Sequence, residues 1–366
     1  MKSKVYFSSV HSHGKQASLL YKIQKLYDAS GFEELVEKDD IIAIKLHFGE
    51  KGNTAYVNPT FVRQIVDKIK GKGAKPFLTD TNTLYNGARA NAVDHLETAV
   101  YNGFAYSVVN APIIIADGIY SKNSVEVEIN KKHFKKVKIA KEIENMPKMV
   151  VISHFKGHET AGFGGAIKNL AMGCAPAAGK QQQHSALSPK VAAHCVGCEH
   201  CITYCPVNAI TVDGKAAIGA GCIGCGECIS ICPVRAITPQ WETEIPEFLE
   251  KMTEYAYGAV KNKLKSTLYI SVLMNITPLC DCYGFSGAYI VPDIGILASM
   301  DPVSIDAASY DLVNQQLGNM NSSLKTNLEP GGDKFKGLYN NIDAQIQMNY
   351  GQEIGLGNKE YELIKV

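Results

Sequence analysis

Long apolar runs are missing from this chain. None approaches the roughly eighteen residues that a membrane-spanning helix needs. An excess charge of one sign is missing too, since 37 Lys and Arg face 36 Asp and Glu. That balance gives no electrostatic case for nucleic acid or an anionic membrane as partner. The first residues, Met1-Lys-Ser-Lys-Val-Tyr-Phe-Ser8, lack the apolar stretch and cleavage site of a secretory signal. The expected compartment is therefore the cytoplasm, where thiols stay reduced and disulfides are not expected.

What the chain does have is cysteine, 11 in all. Cys195, Cys198, Cys201 and Cys205, followed by Pro206, spell C-x2-C-x2-C-x3-C-P; Cys222, Cys225, Cys228 and Cys232, followed by Pro233, spell it again. This is the spacing of bacterial two-cluster ferredoxins. Three cysteines at x2 intervals wrap three corners of an iron–sulfur cube, and the fourth, one helical turn on, reaches the other cube. The expected ligand sets are Cys195, Cys198, Cys201 and Cys232 for one [4Fe–4S] cluster, and Cys222, Cys225, Cys228 and Cys205 for the other. Tetrathiolate zinc sites would use paired C-x2-C knuckles and have no place for the third cysteine. With two clusters bound, the formal charge of +1 falls to about −3. Ile210 and Ile237, at matching places in the repeat, are expected to shield the clusters or pack a core.

Around this unit the chain alternates short apolar runs with helical periodicity. Strands are expected at 4–8, 41–46, 74–79, 113–116, 149–153, 267–274, 291–298 and 361–366. Helices are expected at 16–27, 59–70, 88–101, 245–262 and 301–317, with a helical pattern over 335–351, and a hairpin joins 125–129 to 135–139. That rhythm implies a mostly parallel sheet with helices on both faces. The expected organisation is one discontinuous α/β domain, residues 1–187 and 241–366, with an α+β dicluster ferredoxin-like insert at 188–240 bounded by Ser188-Pro189 and Pro239. Lys131, Lys132, Lys135, Lys136 and Lys138 read as a charged hairpin edge guarded against strand addition, or as a docking patch.

Ligands of such sheets bind at the carboxyl ends of the strands. Lys45, His47, Glu50, Asp80, Thr81 and Asn82 fall there, and so does the stretch His154 to Cys174. In it two histidines, His154 and His158, precede a turn through Gly162, Gly164 and Gly165. A helix then opens near Ala166 with Lys168 in its first turn. Free N–H groups at that start would suit a carboxylate or phosphate, with Lys168 reaching the same small anionic ligand. The turn carries neither nucleotide fingerprint, so a nucleotide is not implied. Cys174, Cys280 and Cys282 are expected to chelate a soft metal as a third site, with His154, His158 or His184 as fourth ligand; buried inert thiols are the simpler alternative. Asp301 and Asp306 read as a helix cap and a packing residue.

The segments Gly162–Cys174, Cys280-Asp-Cys282 and Pro292–Asp306 resemble the hallmarks of domain of unknown function family 362, whose members often carry a dicluster ferredoxin at the same place. That resemblance implies an anaerobic iron–sulfur protein. His158, Ala161-Gly162-Phe163 and Lys168 are more faintly similar in spacing to nickel-dependent lactate racemases. There the histidine serves proton or hydride chemistry and the lysine carries a pyridinium-derived cofactor. The leading expectation is an iron–sulfur oxidoreductase fed by a soluble ferredoxin- or flavodoxin-like donor, with His154, His158 and Lys168 catalytic. The alternative is a racemase- or lyase-like enzyme, or a metal-delivery protein, whose clusters are structural.

Overall fold

A computed structural model describes residues 2–14, 17–85, 87–184, 189–205, 207–222, 224, 226–238 and 245–366. Cys225 and the expected joints at Ser188 and Pro239 lie outside the described residues. Numbered in chain order, the central sheet has strands β1 (Ser3–Ser9), β2 (Ile41–Leu46), β3 (Lys75–Asp80), β4 (Ile113–Ile115), β5 (Met149–His154), β6 (Thr267–Leu273), β7 (Gly295–Ser299) and β8 (Tyr361–Lys365). Their order across the sheet is β8-β1-β7-β6-β5-β2-β3-β4. Only β7 runs against the rest, pairing antiparallel with both β1 and β6. The mostly parallel α/β sheet is as expected.

Period-two alternation decides which side each residue faces. Ile42, Ile44 and Leu46 of β2, with Val150 and Ile152 of β5, join one apolar layer. That layer is closed by α1 (Leu19–Ala29), α2 (Pro59–Gly71) and α3 (Ala92–Tyr101). Ala43, Met149 and Val151 face the other way, into a layer closed by α4 (Ala166–Cys174), α6 (Ile245–Val260), α7 (Pro302–Asn314) and α8 (Ile346–Glu353). The helix α5 (Ala177–His184) follows α4 directly. Pro at the first position opens α2 and α7, and Asn58 and Asp301 cap them by accepting backbone N–H bonds. Asp301 is thus the cap that the sequence suggested.

Helix and strand ends shift by up to four residues, as where the helix expected from 88 begins at Ala92, and three differences have a reason in the structure. β7 begins at Gly295 rather than Val291, because Ile290 and Val291 belong to the loop returning from β6. The tail pattern over 335–351 is split into Lys334–Leu338 and α8 by a turn around Asn340–Asp343. Lys156–His158 and Gly162–Gly164 form a short buried antiparallel hairpin that glycine content had disguised as a plain turn.

The described residues of 189–238 pack around a small cluster of Cys201, Ile210, Ala216, Cys228 and Ile237. They contain the hairpin Ile210–Asp213 with Lys215–Ile218, and Lys190–Val191 pairs with Ile237–Thr238. Three of the five lysines near 131–138 have acidic partners. Lys132 pairs with Glu250 at 2.7 Å, Lys138 with Glu227 at 2.7 Å and Lys136 with Glu126 at 3.3 Å. Among the described residues no helix is long and apolar enough to cross a membrane.

Candidate functional site

The repeated cysteine runs come together in pairs of loops. One pocket is lined by Cys195, Cys198, Cys201 and Cys232, and another by Cys205, Cys222 and Cys228. The last cysteine of each run therefore lies with the first three of the other, as far as the described residues go. Backbone N–H groups donate to the sulfurs: Ala216 to Cys195 at 3.4 Å, Ala209 to Cys205 at 3.2 Å, Gly224 to Cys222 at 3.4 Å and Ala236 to Cys232 at 3.2 Å. Four cysteines in one pocket and three described ones in the other, with N–H donors aimed at sulfur, fit the chemistry of an iron–sulfur cube. Zinc at such loops would leave the spacing unexplained.

A second, larger cavity of about 660 Å³ opens at the carboxyl edge of the sheet. The strand ends supply His47, Asp80 and Thr81, the hairpin supplies His158, α4 supplies Lys168, α5 supplies Lys180 and His184, and the β6–β7 loop supplies Cys280 and Cys282. His158, Cys280 and Cys282 each offer a ligand atom within 4.8 Å of the others, a soft-metal donor set open to the cavity. The loop is seated by the hairpin, where Gly157 donates to Thr277 O at 2.8 Å. A Cβ on Gly157 would come within 2.1 Å of Pro278 O.

Lys168 Nζ lies 3.7 Å from Cys280 Sγ, to which the Cys282 N–H also donates at 3.4 Å. The Cys282 thiol, followed by Lys168 and His158, holds the Cys280 thiol well below its ordinary value against the effect of burial. Burial pulls the Lys168 ammonium down, but the two sulfurs more than offset it, so it stays charged. Asp281 turns away from the cavity: His154 Nδ1 meets its Oδ1 at 2.7 Å and Lys156 Nζ its Oδ2 at 3.2 Å. Burial opposes the charge of Asp281, yet His154 and Lys156 hold its carboxyl well below the usual range.

His154 therefore does not face the cavity. Its Nε2 meets the carbonyls of Met274 and Asn275 at 2.9 and 3.1 Å, so the ring braces the cysteine loop. Cys174 is not with the other two sulfurs either. It is fully buried at the end of α4, and burial pushes its thiol up to about 11, the profile of an inert core cysteine. The helix start at Gly165 is closed to ligands. Asp306 of α7 accepts from the N–H groups of Ala166 at 2.7 Å and Ile167 at 2.9 Å. Gly165 is there because a Cβ would sit 2.2 Å from Asp306 Oδ1. Gly162 has φ +75, and Gly164 lies over the Lys168 and Lys156 side chains. The anion site expected from free N–H groups is thus filled by the chain itself, which leaves Lys168 facing the cavity.

Sequence reasoning named Lys45, His47, Glu50 and Asp80 but missed Arg89 and Lys180 in the charged floor of the cavity. Lys45, buried under it, bonds Asp80 at 3.0 Å and Asn169 at 2.6 Å, and a Cβ on Gly173 would meet its Nζ at 2.1 Å. Arg89, 1% exposed, bridges Glu50 at 3.3 Å and Asp80 at 3.5 Å. Burial and then Arg89 push the His47 imidazole down to about 3. Lys180 donates to Thr81 Oγ1 and Ala175 O, both at 2.6 Å. Asn82, also suspected, is spent on Asp117 and Gly118 O. Arg89 and Lys180 sit in helical or loop stretches without a motif, so only their charge amid apolar neighbours could have marked them.

Residues 42–311 match the family described as Domain of unknown function (DUF362), and the chain belongs to that family. No curated protein matches the chain. Among solved structures it is similar to the lactate racemase apoprotein from Thermoanaerobacterium thermosaccharolyticum at 14% identity and TM-score 0.38, covering 75% of this chain and 51% of that one. It is similar too to a protein from Thermotoga maritima at 7% identity and TM-score 0.38, covering 94% of this chain and 61% of that one. The chain thus spans about half to three fifths of those proteins' lengths.

Proposed function

We propose that this protein is a cytoplasmic iron–sulfur oxidoreductase. Its two cysteine loops each hold a [4Fe–4S] cluster, with Cys225 completing the second set. Electrons from a soluble ferredoxin- or flavodoxin-like donor pass through them to a small anionic substrate in the cavity. The observation that carries this reading is the position of α5. Gly226 of the second cysteine loop lies against Gln181, while Lys180 and His184 of the same helix line the cavity.

The clusters supply one-electron transfer and little else. The chain's own residues do the rest. Lys168 and Lys180 place positive charge on the cavity wall for a carboxylate or phosphate. His158 holds a proton beside the sulfurs or, with Cys280 and Cys282, ligates a soft metal as the third site. His154 and Asp281 orient that pair. One observation favours a second reading, a non-redox racemase- or lyase-like or metal-delivery protein: the His158, Cys280 and Cys282 donor set needs nothing from the clusters.

Anaerobic purification with metal and sulfide analysis tests both. The expected result is about eight irons per chain with a dithionite-reducible EPR signal. Cys280→Ser and Cys282→Ser should keep that iron and lose turnover. Zinc at the eight sulfurs would overturn the proposal. Full turnover in a variant stripped of iron would select the second reading.

A further inference from the structure

The two cysteine loops are alike in sequence and in backbone, but not in surroundings. Glu199 and Gly226 occupy the same place in the repeat and share a left-handed backbone, with φ 63 and 71. Gly197 and Gly224 match in the same way, with φ 64 and 65. In the first loop Cys198, Glu199 and His200 are exposed, and Val196 is 61% exposed. In the second, Gly224 and Gly226 are buried. A Cβ on Gly226 would sit 2.6 Å from Gln181 Cβ and 3.4 Å from Ala178 Cα. The first loop can carry a glutamate at that place because the place is exposed; the second requires glycine because α5 lies against it. Lys122 and Lys138 then fasten the neighbouring Glu227 at 2.5 and 2.7 Å.

Gln181 is an independent sign. It is 0% exposed, and neither its amide nitrogen nor its amide oxygen has a hydrogen-bond partner among the described residues. An unpaired buried amide costs about 1–3 kcal/mol, so it calls for a partner that the described residues do not supply.

We infer that the relay has a fixed direction: the cluster of Cys205, Cys222, Cys225 and Cys228 faces the cavity, with Gln181 donating to one of its sulfurs, and the cluster of Cys195, Cys198, Cys201 and Cys232 faces the external donor. This rests on the two-cluster reading above. Each electron leaves a reduced one-electron carrier, crosses the outer and then the inner cluster, and reaches the group in the cavity. A two-electron reduction there oxidises two carriers and takes up two protons from solvent.

The test is EPR-monitored redox titration of the full-length, anaerobically prepared protein, with and without a soluble dysprosium chelate. In the wild type one reduced-cluster signal should be relaxed by the chelate and the other sheltered. In Gln181→Leu the sheltered cluster's midpoint should move to more negative potential, because a hydrogen bond to sulfur is lost, while the other stays. Equal relaxation of both signals in the wild type overturns the direction without needing any variant. So does a Gln181→Leu shift in the relaxed signal, or in neither. Fewer than about eight irons per chain overturns the two-cluster reading itself, and this inference with it.

Discussion

Lys180 holds its ammonium group on Thr81 and the carbonyl of Ala175, 7% exposed. Burial pushes it down to about 8, although Asp117 and Asp80 pull the other way. An unfolded lysine titrates near 10.4. Between about 8 and 10.4 the folded chain therefore binds fewer protons than the unfolded one, and stability rises with pH across that window. The difference in unfolding free energy between wild type and Lys180→Met should grow by up to about 3 kcal/mol from pH 7.5 to 10.5. Anaerobic urea unfolding at several pH values measures this; a flat difference would mean that the ammonium is solvated. Asp306 gives a second case. Burial pushes its carboxyl up to about 7 while the N–H groups of Ile167 and Ala166 pull it down. Asp306→Ala orphans both donors and should cost about 2–4 kcal/mol. Asp306→Asn, which keeps one acceptor, should cost less. Loss of stability in Ala but not in Asn identifies the helix-start bonds as the cause.

At the scale of elements, α5 is held on one side by the second cysteine loop and on the other by the cavity wall. Gly226→Ala introduces a Cβ where φ is +71 and Gln181 Cβ would be 2.6 Å away. Hydrogen exchange of the amides over 177–184 should rise several-fold in this variant. Glu199→Gly, at the matching but exposed place, should leave it unchanged. Equal behaviour of the two would mean that the loop does not brace the helix. The strands of the sheet were legible as short apolar runs between turn residues, as in β2 and β6, which are buried along almost their whole length. The direction of β7 was not, since a short apolar run reads the same parallel or antiparallel. Nor was the closure of the α4 start, because Asp306 is 140 residues away and leaves no local mark. His47, Asp80 and Thr81 could be placed at the cavity from strand ends alone, but Arg89 and Lys180 reach it from segments without any motif. The spacing of cysteines also anticipated which described cysteines share a pocket, Cys232 with the first run and Cys205 with the second.

For the molecule as a whole, the contrast in core size governs what metal loss should do. The α/β body buries two large apolar layers against its sheet. Among the described residues of 189–238 the buried apolar cluster is Cys201, Ile210, Ala216, Cys228 and Ile237, and two of those are thiols. If this unit of about fifty residues holds the proposed clusters, so little apolar burial makes its fold depend on them. Chelating the iron under reducing conditions should therefore unfold this unit and leave the body standing. Tryptic cleavage at Lys190, Lys215 and Arg235 should become fast, while the far-UV circular dichroism of the body keeps most of its amplitude. The ion pairs of Glu227 with Lys122 and Lys138 tie the unit to the body. Those contacts would then release, exposing Gln181 and loosening α5, so substrate affinity in the cavity should fall even though no cavity residue has changed. A chelated protein that stays resistant to trypsin over 189–238 would show that side-chain packing, not metal, holds that unit together.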